Sequence, residues 1–490
     1  MVRSAGAGTS STFAAVNETS QPVELLLTVR RDGSGTLGGQ IEEQLRRAIR
    51  TGALRTGSRV PSTRDLARQL GVSRRVAVDA YAQLAAEGYL VVRQGARPRV
   101  AQASAAVERP PAAAPPAAAV RFDFRPSMPD VSAFPRQAWL RCVREALAEI
   151  TDLDLGYGDM RGLERLRSAL ADHLGRVRGV VADPAQIVVT CGFSQGFDLL
   201  CRALAERGAT RVAFEDPGYD EPRLIAARAG LEPVPVAVDE HGLRVDRLER
   251  TDADAVVLTP AHQHPTGVVL TGERRTALLE WLHGRDAIAV EDDYDADYRY
   301  DRAAIGALQG LDPDRVVYAG SASKTLAPAL RIGWLALPAA LLEPVARGKV
   351  LADRGTDRIT QHAFARFLER GELDRHRRRM LAAYRARRDA LVAAVADELP
   401  DATVRGIAAG LHATVELRDT DDEAAILTEL ERRRIALSTM SEHRMTPVPG
   451  PPMLLLGYGQ VPLPSIRPGV RAIADAVRAA QGSATQSRVR

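Results

Sequence analysis

Of the 66 Lys and Arg residues in the chain, only Lys324 and Lys349 are lysine. Arginine forms ion pairs as well as lysine does, but its guanidinium stays protonated and cannot form an imine. A lysine that survives so strong a bias is a candidate nucleophile toward a carbonyl. Ser321-Ala-Ser-Lys324-Thr-Leu-Ala-Pro-Ala-Leu-Arg331 sets hydroxyls just before one of them and an arginine seven residues after it. A phosphorylated aldehyde needs such a set: an amine for the imine, and a cation with hydroxyls for the phosphate.

Four further segments carry complementary chemistry. Glu291-Asp292-Asp-Tyr294 follows the apolar run Ala287–Val290, at a strand's C-terminal end, where α/β sheets place ligands. An aspartate there would keep a pyridine nitrogen protonated and make the ring an electron sink. Cys191-Gly192-Phe193-Ser194-Gln-Gly196 follows a strand-like run and opens a helical one, so its amides can take a phosphate. Asp216-Pro-Gly-Tyr219 offers an aromatic face, and Thr259-Pro-Ala-His-Gln-His264-Pro-Thr-Gly267 a turn with polar side chains. Singly each is weak, since an acidic loop or a Gly-containing strand–helix turn is common.

The elements that must position these residues are short apolar runs alternating with helical patterns. Ile187–Thr190, Arg211–Phe214, Ala255–Leu258, Ala287–Val290 and Val316–Tyr318 read as buried strands; Gln195–Ala205 and Glu273–His283 read as helices. That alternation predicts a parallel or mixed α/β sheet. From about Asp374 a long basic helix precedes strands at Thr403–Val404, Ala413–Leu417 and Met453–Leu456, a smaller α+β lobe.

The front of the chain has a different character. Residues 36–100 hold twelve arginines and five acids, a charge of +7 in a chain whose net charge is +4. Such a module suits a polyanion. After a strand-like run at 23–30, Ile41, Leu45 and Ile49 mark an amphipathic helix. Ser62 and Ser73 then stand as N-caps of two short helices joined by Gly71-Val72, a helix-turn-helix pattern held by Leu66, Val76, Tyr81 and Leu84. Gly88–Gly95 reads as a hairpin with Arg93, Arg97 and Arg99 at its tip. The alternative, a small dimerisation unit with solvated arginines, fits the charge less well. Residues 101–120, with four prolines and many alanines, read as a linker. The expected domains are therefore 23–100 and 121–482, with disordered ends at 1–22 and 483–490. No run is apolar enough to span a bilayer, no secretory signal is evident, and three unpaired cysteines suit a reducing cytoplasm. No metal site is expected.

RVPSTRDLARQLGVSRRVAVDAYAQL and the segment after it resemble a GntR-family winged helix-turn-helix. The resemblance implies double-stranded operator DNA as partner, contacted by Arg64, Arg74, Arg75, Gln94 and Gly95. The five segments behind the linker, in this order, resemble a fold-type I aminotransferase from about Arg121 to Ala480. That resemblance implies pyridoxal 5'-phosphate, bound covalently by Lys324. Asp292 then pairs with the pyridine nitrogen, Tyr294 and His264 lie at the ring, and Tyr219 stacks on it. Ser321, Arg331 and the amides of Gly192, Phe193 and Ser194 hold the phosphate. Tyr157 matches a tyrosine that reaches the neighbouring subunit's phosphate in head-to-tail homodimers. Head and body together resemble the MocR subfamily of bacterial transcription regulators.

Two positions depart from aminotransferase patterns. His264 stands where asparagine is usual, and Leu455 where carboxylate-binding relatives tend to keep an arginine. Arg444 and Arg467 are the substitutes within reach in sequence. The expectation is a regulator responding to cofactor state or a small amine, in a branch of the subfamily that senses pyridoxal phosphate and governs vitamin B6 supply. The alternatives are a regulator of γ-aminobutyrate or taurine use, and a working aminotransferase with a DNA-binding head. The basic run His376–Arg388 reads as a solvated face that pairs with acids, with direct DNA contact as the minority reading.

Overall fold

Two serines start the two helices of the front unit. Ser62 accepts from the Asp65 amide and caps Thr63–Leu70; Ser73 accepts from the Val76 amide and caps Arg74–Ala86. Gly71 ends the first helix at φ 63°, a left-handed conformation that favours glycine. Leu37–Arg50 packs across both through Ile41, Leu45 and Ile49 onto Leu66, Ala77, Tyr81 and Leu84. In this computed structural model residues 27–32, 35–93, 96–101, 119–295, 297–300 and 305–488 are described. They fall into two compact units, divided between residues 117 and 118.

Two expectations for the front change. Residues 27–30 form no strand: Thr28 exchanges backbone hydrogen bonds with the Gln44 side chain, so glutamines on a helix do what a partner strand would. The hairpin pairs Leu90–Val91 with Arg99–Val100, which puts Arg99 in a strand and away from the tip. Val100 is buried there and needs the register. Gln94, Gly95 and most of the expected linker, residues 102–118, lie outside the described residues, as do 1–26.

The second unit is built on an eight-stranded sheet in the order Ile187–Thr190, Gly333–Ala336, Val316–Ser321, Ile288–Asp293, Ala255–Leu258, Arg211–Asp216, Glu232–Asp239, Gly242–Leu243. The five strands from Val316–Ser321 to Glu232–Asp239 run parallel, while Gly333–Ala336 and Gly242–Leu243 run antiparallel to their neighbours. The mixed α/β architecture is therefore the expected one. Phe193–Glu206 and Gly272–Arg285 bury apolar faces against it. A four-stranded antiparallel sheet, Thr403–Arg405, His412–Glu416, Met453–Gly457 and Ser438–Thr439 in that spatial order, forms the smaller lobe. Its core packs on the 27-residue helix Glu372–Glu398. Along that helix Arg377 pairs with Asp297, Arg385 donates to the Tyr300 carbonyl, and Arg387 pairs with Asp130. With Arg388 against Asp389 at 3.6 Å, four of the six arginines in the basic run are occupied within the chain. Among the described residues no helix is long and apolar enough to cross a membrane.

Candidate functional site

The strand Ile288–Asp293 carries three acids in succession, and the pleat assigns them to opposite faces. Glu291 turns into the structure and accepts from the Leu308 and Gln309 amides, both at 3.0 Å. Asp293 accepts from Arg178 at 2.6 Å and from Tyr318 Oη at 2.7 Å. Asp292, between them, lines a cavity of about 30 Å³ with Glu215, Tyr219, Thr259 and His264. Burial, reinforced by the neighbouring Asp293, pushes the Asp292 carboxyl up to about 8. A carboxyl held so high wants a cationic partner. Burial pushes the Lys324 ammonium down, partly offset by Asp292, Asp295 and Glu221, which favours the free amine a carbonyl requires.

Arg331 occupies a left-handed turn at φ 50° and donates to the Cys191 carbonyl at 2.7 Å. Gly192 has φ 83°, and a Cβ there would come within 3.1 Å of that guanidinium. Only glycine admits arginine so close to the start of helix Phe193–Glu206. Phe193 itself stacks on Phe197. Ser194 donates its hydroxyl to Glu221 at 2.6 Å, and Tyr219 donates to the same carboxylate. Ser321 lines a second cavity with Arg178, Asp293, Tyr294 and Thr325, and its strand partner Gly333 abuts Gly192. Tyr294 shares that second cavity and meets His262 Nδ1 at 3.1 Å. The cradle is thus Gly192, Ser194 and Arg331, with a carboxylate already on its hydroxyl.

Lys349, the other surviving lysine, is fully buried and donates to Asp353 at 2.7 Å and Thr356 at 2.9 Å. Asp353 also accepts from Gln195, whose own carbonyl takes the Cys191 amide. This lysine therefore tethers the loop that precedes the cradle. Its persistence in an arginine-rich chain was a signal of a dry, tightly bonded cation as much as of reactivity.

Four imidazoles crowd the ring side of the site. His264 lies 5.1 Å from His412 and 5.0 Å from His443 by ring centroid, and edge-on to Tyr219 and Tyr294. His262 pairs with the fully buried Asp295. Burial pushes His412 down to about 3 and His264 well below its usual range; His443 is lowered for the same reason. At neutral pH they offer hydrogen bonds and no charge. Leu455 is fully buried; it pairs with Thr414, whose hydroxyl donates to the Pro265 carbonyl. Its side chain therefore faces the His264-Pro265 turn, while Leu454 and Leu456 enter the lobe's core. Neither suggested substitute supplies a cation here. Arg467 pairs at the surface with Asp397 at 2.6 Å, and Arg444 lines a separate cavity with Glu423 and Val448.

Tyr157 is exposed, under the Arg354 guanidinium, and takes no part in the cavity around Asp292. In the front unit Arg64, Arg74 and Arg75 all point to solvent; Arg75 has a 3.7 Å ion pair with Asp79, itself exposed. His412, His443, Glu215, Glu221 and Asp295 were not anticipated as members of the site. Only His262 fell in a segment already marked; Glu215, Glu221 and Asp295 lie one or two residues outside Asp216–Tyr219 and Glu291–Tyr294.

An amine whose charged form burial disfavours, a buried acid, an exposed aromatic face and an arginine–glycine cradle fit a phosphorylated pyridine aldehyde. Comparison with known proteins agrees with both units. Residues 132–447 match the model for aminotransferase class I and II, and residues 37–100 match that for bacterial regulatory proteins of the gntR family. The chain is 34% identical to the pyridoxine biosynthesis transcriptional regulator PdxR of Corynebacterium glutamicum, over 82% of this chain and 88% of that one. It is 31% identical to the probable rhizopine catabolism regulatory protein MocR of Rhizobium meliloti, over 94% and 97%. Among solved structures, an archaeal alanine:glyoxylate aminotransferase superposes with a TM-score of 0.68 at 26% identity, covering 73% of this chain and 91% of that one. With a gntR-type head and a class I/II aminotransferase body matched over most of their length, the chain belongs to the MocR-type transcriptional regulators.

Proposed function

We propose that this regulator carries pyridoxal 5'-phosphate on Lys324, binds operator DNA as a homodimer, and adjusts that binding to cofactor state so as to govern vitamin B6 supply. The observation that carries the reading is the charge inventory around Lys324 and Asp292. A phosphate finds Arg331 and the amides from Gly192 to Ser194, whereas a ligand carboxylate finds neutral imidazoles and Leu455. Burying a carboxylate without a cationic partner is unfavourable. The relative named for pyridoxine biosynthesis supports the same direction.

In this reading Asp292, protonated in the cofactor-free protein, becomes ionised against the protonated pyridine nitrogen, Tyr219 lies on the ring, and His264 and Tyr294 meet its hydroxyl. Ser321, paired with the Gly333 that abuts Gly192, completes the phosphate shell. The bound cofactor would supply an electrophilic imine carbon. Exposed apolar side chains at Leu153, Leu155 and Leu351, near Tyr157 in sequence or through Arg354, support a subunit contact. Arg64, Arg74 and Arg75, with Gln94 and Gly95, serve as the DNA-reading set.

A gel-shift titration of cofactor-free protein tests this, first with pyridoxal phosphate alone and then with amino acids added. Operator affinity should change with pyridoxal phosphate alone. An affinity that ignores it and answers to one amino acid would replace this reading by control of amine catabolism, and enzyme-like conversion of amino donors to keto acids would replace it by an aminotransferase.

A further inference from the structure

The carboxylate on the cradle belongs to Glu221, in the first turn of helix Asp220–Arg228. Its Oε1 accepts from Ser194 Oγ at 2.6 Å and its other oxygen from the Tyr219 hydroxyl. Its charge also reaches Lys324. One acid therefore holds the hydroxyl of Ser194, whose amide is assigned above to the phosphate, and the tyrosine assigned above to the ring.

We propose that Glu221 is an internal anion that competes with the ligand's phosphate for this cradle, so that it determines selectivity for the phosphorylated form and holds occupancy in a responsive range. The inference rests on Lys324 being the cofactor lysine. A phosphate within hydrogen-bond reach of Ser194 would lie against the Glu221 carboxylate, and two anions cannot share one donor there without repulsion. The phosphate enters when Glu221 swings off Ser194, which also frees Tyr219 to turn its face to the ring. Part of the phosphate's binding energy is consumed in breaking those two bonds. Affinity is held below what the bare cradle offers, as a sensor requires, because a site that is always full reports nothing. An aldehyde without the phosphate does not contend for Ser194 and leaves Glu221 in place.

The test uses the full chain stripped of cofactor, wild type and Glu221→Gln, titrated with pyridoxal phosphate and with pyridoxal while imine absorbance is followed. Glu221→Gln should tighten pyridoxal phosphate about tenfold and leave pyridoxal within about twofold, because only the phosphate meets the lost charge. It should also lower the concentration of inorganic phosphate that blocks pyridoxal phosphate. Glu221→Asp keeps the charge, so it should hold pyridoxal phosphate within about twofold of wild type. Equal tightening of both aldehydes by Glu221→Gln, no tightening of pyridoxal phosphate by it, or a Glu221→Asp protein that tightens pyridoxal phosphate as much as Glu221→Gln overturns the proposal. If wild-type protein forms no imine with either aldehyde, the cofactor reading fails first, and a failure of Glu221 alone is told apart from it.

Discussion

The two units use the same residue type in opposite ways. In the front unit Arg64, Arg74 and Arg75 stand in solvent at the starts of two short helices, where a guanidinium can reach phosphates or base edges. In the body, Arg178 is buried against Asp293, Arg387 is spent on Asp130, and Arg331 lies across Gly192. These three arginines of the first unit are turned to solvent, whereas these three of the second are internal ties. The lesson is that a high arginine content says little by itself; the cations that matter are those the fold leaves uncommitted, and the lysines that arginine could not replace.

Breaking that contrast at its sharpest point gives the largest effect. Lys324→Ala or Lys324→Arg should abolish the imine band and its bleaching by borohydride, since arginine cannot form the bond. Lys349→Met should keep the band and instead cost about 3 kcal/mol of stability, measured by denaturant unfolding, by leaving Asp353 without its cation. A band that survived Lys324→Arg would reverse the assignment of the two lysines.

A smaller effect separates the units. Arg74→Ala should weaken operator binding by about 1–3 kcal/mol in a fluorescence titration if that side chain reads a base, and leave the imine spectrum unchanged. The loss should persist across salt concentrations if a base is read. If Arg74 meets only a phosphate, the slope of affinity against salt should drop by about one ion. Loss of cofactor in this variant would mean the head is not independent.

The smallest effect lies in the body's titration. Burial pushes Asp292 up to about 8, and Glu215 and Glu291 up to about 7. These carboxyls keep their protons in the folded protein at pH values where the unfolded chain has lost them. The folded state thus binds more protons, and stability falls as pH rises toward 8. His173 and His376, pushed down to about 4, and His412, pushed down to about 3, act in the reverse sense only below their unfolded pKa. A scan of the cofactor-free protein from pH 6.5 to about 8.5 should therefore show a falling unfolding temperature. Asp292→Asn should flatten the slope and raise the midpoint at the alkaline end. A rising midpoint over that range would contradict the buried, protonated carboxyls.

The features legible from the residues alone are local. Ser62 and Ser73 announced helix starts because a cap is a contact between residues three apart. The apolar runs announced strands because a strand buried on both faces leaves a continuous signal. The lysine stood out because the chain around it is written in arginine, and the order of the marked segments carried the family. Only the tertiary structure decided which groups meet. His412 and His443 come to His264 from the smaller lobe, and Glu221 reaches Ser194 from another helix. The pleat turns Leu455 toward the Pro265 turn while its neighbours enter a core. Register at 90–100 and the diversion of residues 27–30 onto Gln44 belong to the same class. Such contacts join residues tens to hundreds of positions apart, and they form because packing closes those distances. No local pattern records them, so a site assembled from several strand ends and a second lobe shows its parts in the sequence and its charge balance only in the fold.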